Sequence, residues 1–308
     1  MKPDQSFGNV EGITYFPGNG QSDKPVCIMG SIHGNERVGA AVLKELREIL
    51  STTDLRSDVY LVLGNPEAYR ADKRYIDTDM NRLFGADRDV VSPGDNVEEK
   101  RVAEIAPVLS ESHYLLDIHS TISPSVPFVY CEPDAEHMSL ATLMGVEYIV
   151  SPPRDNSPSK ETLARAAEPP SPDFRPVDLI SSADNFVDRH GGLGITFESG
   201  WHKNELAVED VLMRIKLFLQ RTGACDFGLP EPENVQESKR LTIYNHVVPQ
   251  SNSFTFARAF SSFDIVKAGE LIGNDDNKEV RAEEDSFIIF PKTTIEQGKI
   301  ACYLAHVS

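Results

Sequence analysis

Five short runs of nearly unbroken apolar residues, separated by stretches with helical spacing, constrain the fold of this chain more than any other feature. The runs are "PVCIMG" (25–30), "VYLVLG" (59–64), "YLLDIH" (114–119), "VEYIV" (146–150) and "LGITFE" (193–198). Strict alternation would leave one face polar, whereas continuous apolar runs of this length read as strands buried on both faces. Residues 36–50, 96–112 and 205–222 instead carry apolar side chains on one helical face and charge on the other. Helices of that kind cover strands of that kind, so the expected class is α/β, a mainly parallel mixed sheet flanked by helices.

Beyond residue 225 the pattern changes. "CDFGLPEPENVQESKR" is polar and contains proline, and the chain then passes through short strand-like runs: "LTIYNHVV", "SFTFARAF", "DSFIIFP" and "IACYLAHV". This predicts a boundary near residue 232, with a large α/β domain over 1–232 and a small C-terminal β domain over 233–308. The Pro- and Ser-rich stretch 151–176 is too long for an ordinary connection and reads as a lid. The acidic run "GNDDNKEVRAEED" (273–285) lacks the ordered ligand spacing of a calcium loop and reads as a solvated hairpin turn.

The chain has 308 residues, 40% of them hydrophobic, enough for such cores. Its 48 acidic against 30 basic residues give a formal charge of -18, which disfavours non-specific attraction to phosphate backbones or anionic lipid. Neither nucleic acid nor a membrane is expected as a partner. A locally positive pocket is compatible with this charge, so a small anionic substrate fits. The N-terminal residues lack a basic segment followed by an apolar core, which points to a cytoplasmic protein. Cys27, Cys131, Cys225 and Cys302 lie far apart and read as reduced, mostly buried thiols.

Three of the strand candidates run into residues that can do chemistry, at the end of the sheet where ligands of open α/β folds bind. The first leads into His33 and Glu36, the third ends at His119, and the fifth ends at Glu198. Two histidines and a glutamate make a zinc set of the catalytic kind, with the fourth position left for a water whose pKa falls towards neutrality. Glu198 is then the carboxylate that takes up the proton. Alone, H-x-x-E is weak, because any helix N-terminus favours a glutamate through its macrodipole. A second cluster, "RYIDTDMNRLFG" (74–85), comes after another strand at the same sheet edge, where an arginine can clamp a carboxylate or stabilise an oxyanion. Its charged residues could equally be ordinary solvated pairs.

The blocks "GSIHGNE", "RYIDTDMNRLFG", "DIHST" and "GITFESG", in that order and spacing, resemble the succinylglutamate desuccinylase/aspartoacylase family of zinc carboxypeptidase-like enzymes. The resemblance implies one zinc ion per chain on His33, Glu36 and His119, with Glu198 as general base and acid. It further implies that Arg74 polarises the scissile carbonyl, and that Asn81 and Arg82 bind the carboxylate of the amino-acid portion. Arg189 takes the place of a further substrate-binding arginine. Asp77, Asp79 and Asp117 read as residues that orient the arginines or a zinc-bound histidine. The implied activity is hydrolysis of the amide of a small anionic N-acyl amino acid, such as N-succinylglutamate or N-acetylaspartate. "STISPSVPF" after His119 lacks an arginine that some desuccinylases carry there. A peptide-cleaving carboxypeptidase and a non-catalytic ligand-binding relative are the competing readings, the latter disfavoured by the presence of both Glu198 and Arg74.

Overall fold

The computed structural model describes residues 10–85, 94–153, 181–204, 207–230 and 237–308. The apolar runs become β2 (Val26–Gly30), β3 (Val59–Leu63), β4 (Tyr114–Thr121), β6 (Tyr148–Ser151) and β7 (Leu193–Trp201). Strands β3, β2, β4 and β7 lie parallel and in that order. The short strands β1 (Ile13–Phe16) and β5 (Phe128–Tyr130) pair antiparallel to β3 and β7.

The reason for the unbroken apolar runs is visible in where alternate side chains go. Val26 and Ile28 face one core, with Val42 and Leu46 of α1 (Arg37–Leu50) and Ile215 and Phe218 of the helix Ala207–Arg221. Cys27 and Met29 face the other, with Val102, Ile105 and Leu109 of α3 (Val97–Glu111) and Phe186 of the helix Ala183–Arg189. Each strand is thus sandwiched between helical layers. Two shorter helices, α2 (Pro66–Ala71) and α4 (Ala135–Thr142), complete these layers; the side chains of Asn65 and Asp134 cap their N-termini.

The chain after residue 237 is β-rich. β8 (Lys239–Val247) pairs with β6, and β14 (Cys302–Val307), β13 (Ser286–Ile289) and β10 (Ile265–Val266) extend the same sheet outward to eleven strands among the described residues. A buried cluster joins Phe128 and Val150 to Leu241, Ile243, Ile289 and Ala305, so the C-terminal strands share a core with β5 and β6. β9 (Thr255–Phe256), β11 (Leu271–Asp275) and β12 (Lys278–Arg281) form a second, three-stranded sheet. The acidic run 273–285 is the β11–β12 hairpin, with Asp276 at φ 52° in its turn. The four cysteines are buried and unbridged. The stretch 151–176, read as a lid, lies outside the described residues beyond residue 153. No helix among the described residues is long and apolar enough to cross a membrane.

Candidate active site

β2, β4 and β7 lie side by side, and residues just past the end of β2 converge with His119 and Glu198, which lie within the C-terminal halves of β4 and β7 and not at their ends as the sequence suggests. The turn leaving β2 is forced by close backbone packing. A Cβ on Gly34 would collide with the backbone of Ala68 and Tyr69, and Ser31 adopts a left-handed φ of 56°. Ser31 Oγ donates to the Glu36 carbonyl and accepts from Ala40 N–H, which pins the first turn of α1.

Glu36 occupies the N-cap position of α1, yet its side chain caps nothing. Its Oε1 lies 2.8 Å from Nδ1 of His33, and its Oε2 lies 3.2 Å from Nδ1 of His119 and 3.0 Å from the donating Ser120 N–H. This separates the two readings of H-x-x-E: the carboxylate serves the histidines and not the helix dipole. The two imidazoles stand edge to face with centroids 5.1 Å apart, and all three side chains are buried. One ligand atom from each of His33, Glu36 and His119 lies within 4.8 Å of the others.

The outer nitrogens of both rings are held by carboxylates. Nε2 of His119 is 2.9 Å from Oδ2 of Asp117, and Nε2 of His33 is 3.1 Å from Oδ1 of Asp79. This is the carboxylate–imidazole arrangement that orients metal ligands. Burial alone would raise the pKa of Glu36, but the charges and hydrogen bonds of His33 and His119 hold it well below the carboxylate range. Burial also opposes a charge on His119, and Asp117 and Glu36 outweigh it, raising that imidazole well above its ordinary value. Two imidazole nitrogens and a carboxylate, buried and convergent, fit a zinc ion in donor type and number.

Glu198 enters from β7 as the register partner of His119. It is 7% exposed, and its Oε2 is buried without a hydrogen-bond partner among the described residues. Desolvation, the largest influence, and the nearby Glu36 raise its pKa to about 7 against the opposing charges of His119, Lys292 and Arg74.

The 74–85 segment reaches the same place. Gly34 N–H donates to the Arg74 carbonyl, and the Arg74 guanidinium stands between Oε1 of Glu36 at 3.5 Å and Oδ2 of Asp79 at 3.1 Å. Asn81 Oδ1 accepts from Ala183 N–H at 3.2 Å, and Arg82 donates to the Asn81 carbonyl. Among the described residues no arginine lies within ion-pair distance of Asp77; it accepts from Val97 N–H at the start of α3. Arg189 ends the helix Ala183–Arg189, and it reaches the 74–85 segment two residues after Arg82. Its guanidinium donates to the Phe84 carbonyl.

Two residues that the sequence pattern does not single out belong to the site's construction. Glu98, fully buried in α3, accepts from the N–H groups of Ile76, Asp77 and Thr78 at 2.6, 3.0 and 3.2 Å, and from Asn65 Nδ2 at 3.0 Å. It therefore shapes the loop that presents Arg74. Its signal is an acid on the apolar face shared by Val102, Ile105 and Leu109. Lys292, after β13, lies within electrostatic reach of Glu198 and Arg74, and nothing local in "FIIFPKTT" marks it.

A family model of the succinylglutamate desuccinylase/aspartoacylase catalytic domain matches residues 22–203, the segment that supplies His33, Glu36, Arg74, His119 and Glu198. The chain belongs to the succinylglutamate desuccinylase/aspartoacylase family. A probable aspartoacylase from Acaryochloris marina is 34% identical over 105 residues, 32% of this chain and 35% of the relative. A succinylglutamate desuccinylase from Serratia proteamaculans is 35% identical over 120 residues, 37% of this chain and 36% of the relative. These matches thus span about a third of the curated relatives' length. The crystal structure of a succinylglutamate desuccinylase from Vibrio parahaemolyticus has the same fold, with a TM-score of 0.70 at 18% identity, covering 96% of this chain and 86% of that one.

Proposed function

We propose that this member of the desuccinylase/aspartoacylase family is a zinc-dependent hydrolase that cleaves the amide bond of N-acyl amino acids. The observation that carries the reading is the convergence of His33 Nδ1, His119 Nδ1 and the Glu36 carboxylate beside a buried Glu198 with an unpartnered oxygen. His33, Glu36 and His119 hold the ion, one per chain, which when bound supplies an acidified water and a Lewis acid for the acyl carbonyl.

The remaining chemistry belongs to the protein. Glu198 takes up the proton of the attacking water and returns it to the leaving nitrogen, a task suited to a carboxyl group whose pKa is lifted to about 7. Arg74, held by Glu36 and Asp79 with its side chain 44% exposed, offers donors to the oxygen that gains charge in the transition state. Asn81 and Arg82 receive the carboxylate of the amino-acid half. The amide NH2 of Asn81 has no protein partner among the described residues, and Arg82 is exposed beside it. Arg189, whose guanidinium donates to the Phe84 carbonyl two residues after Arg82, is a further arginine for the substrate in this proposal.

The test is hydrolysis of a panel by the zinc-loaded full chain: N-acetylaspartate, N-succinylglutamate, N-acetyl derivatives of neutral and aromatic amino acids, and a long peptide. Release of a free amino acid from the small substrates, lost on chelation and restored by zinc, is the expected result. Inertness of a stoichiometrically loaded sample, or cleavage of the long peptide at an equal rate, would overturn the proposal.

A further inference from the structure

We propose that Lys292, delivered by the C-terminal strands, is a specificity-determining residue that holds, together with Arg82, a carboxylate on the amino-acid half of the substrate. The inference rests on the deacylase reading and extends it to a part of the chain beyond residue 203, outside the segment matched by the family model.

The backbone fixes Lys292 next to the site. β13 ends at Ile289, and Phe290 turns away with φ 52° while its N–H donates to Ser262 Oγ at 3.2 Å. The Phe290 ring lies 5.3 Å from that of Phe128, and Phe128 is the antiparallel register partner of Glu198. Pro291 is buried, and Lys292 N–H donates to the Ala301 carbonyl at 2.8 Å. Lys292 therefore leaves a rigid strand end two residues beyond a ring packed against the neighbour of the proposed base.

Lys292 is exposed to solvent, where a substrate can reach it. Burial and the like charges of Arg74 and Arg82 push its pKa down, while Glu198 and Glu36 act in the opposite sense. Glu198 in turn feels the charge of Lys292.

The pairing pattern is what calls for a ligand. Acidic residues outnumber basic ones by 48 to 30, so cations in this chain have many candidate partners. Arg74 has two, Glu36 and Asp79. Among the described residues neither Lys292 nor Arg82 has a carboxylate within ion-pair distance, although both stand close enough for their charges to interact. Two cations without an ion-pair partner repel each other where their charges interact, and an anionic group between them relieves that repulsion.

The chemistry of the neighbours says which end of the substrate this is. Glu198 returns its proton to the leaving nitrogen, and Arg82 is read as the carboxylate arginine. A cation flanked by both faces the amino-acid half. Lysine suits the task as a compact point charge on a flexible stem, able to meet a carboxylate without a fixed bidentate geometry.

The experiment compares the wild-type chain with K292M and K292R, all zinc-loaded. The probes are the best substrate of the panel and derivatives in which each carboxylate of its amino-acid half is replaced by a carboxamide. In the wild type, one replacement should raise KM by about tenfold or more. In K292M that penalty should largely vanish, with the melting temperature near wild type, and K292R should restore it. An equal carboxamide penalty in wild type and K292M would overturn the role of Lys292, as would a fall in kcat at constant KM. If K292M melts early, K292Q replaces it with the same readout. A wild type inert towards every N-acyl amino acid removes the deacylase reading and this inference with it; an active wild type with an unchanged penalty removes the inference alone.

Discussion

His119 and Glu198 are register partners on the adjacent parallel strands β4 and β7, so their side chains leave the sheet side by side. Neighbouring strands lie about 4.8 Å apart, and residues in register point to the same face. A potential metal ligand and a potential proton carrier are thereby set next to each other by backbone hydrogen bonding, without a mobile loop between them. Ser199 Oγ donates to the His119 carbonyl at 2.7 Å and fastens the pair at its outer end.

The Glu198→Gln variant keeps the shape of this arrangement and removes the proton carrier. Zinc stoichiometry should be unchanged, and turnover should fall by about 10²-fold to 10⁴-fold. Steady-state kinetics beside a metal assay check this; activity within tenfold of wild type would contradict it.

The same group sets a pH dependence. Burial lifts Glu198 from 4.5 to about 7, and a bound dication favours the carboxylate, acting in the opposite direction. The base works when deprotonated, so kcat/KM should rise with pH along a limb between these two values. A flat profile from pH 4 to 8 would exclude Glu198 as the titrating base.

Asp117→Asn and Asp79→Asn remove the charges behind the two imidazoles. Each should weaken zinc binding by about 10-fold to 100-fold, measured by competition with a chelator. Asp117 should have the larger effect, because it is almost fully buried whereas the Asp79 side chain is 21% exposed. Unchanged affinity in both would show that the rings need no such support.

Glu98 organises the arginine loop from beneath. Glu98→Gln substitutes an amide NH2 for one of the oxygens that receive Ile76, Asp77, Thr78 and Asn65. Loss of these charge-assisted bonds should cost about 2–4 kcal/mol of stability. Denaturant unfolding reads the cost, and wild-type stability would contradict it.

His137 is a pH-dependent clamp away from the His33, Glu36 and His119 cluster. Burial opposes its charge, but Asp188 at 2.9 Å and Asp134 at 2.6 Å raise its pKa from 6.5 to about 9. The folded state thus binds this proton more tightly than the unfolded chain. The stabilisation is fully present below pH 6.5 and is lost as pH rises through 9. With solvent screening it amounts to about 1–2 kcal/mol. The stability difference between wild type and His137→Gln should shrink by that amount between pH 6.5 and 9; a constant difference would refute the clamp.

The strands β2, β3, β4, β6 and β7 are legible in the sequence because both of their faces are buried, which leaves no polar alternation to confuse with a helix or a loop. β5 escapes for the opposite reason: Phe128–Tyr130 is three residues long, comes directly after Pro127, and is defined by its pairing with β7 and β6. In the site, the convergence of His33, Glu36 and His119 is legible because each lies just after or close to the C-terminal end of a recognisable strand. The surroundings of Arg189 are not legible, because a helix end carries its guanidinium to the Phe84 carbonyl, more than a hundred residues away in the chain. Lys292 is invisible because its approach depends on a sheet that runs on from β6 into the C-terminal strands.

The proposed hydrolase requires a single zinc ion held by His33, Glu36 and His119. Anomalous diffraction at the zinc edge from crystals of the zinc-loaded protein tests it most directly. One peak per chain is expected, about 2.0–2.2 Å from both Nδ1 atoms and from a Glu36 oxygen. A fully occupied zinc elsewhere, with no peak between these three residues, would contradict it.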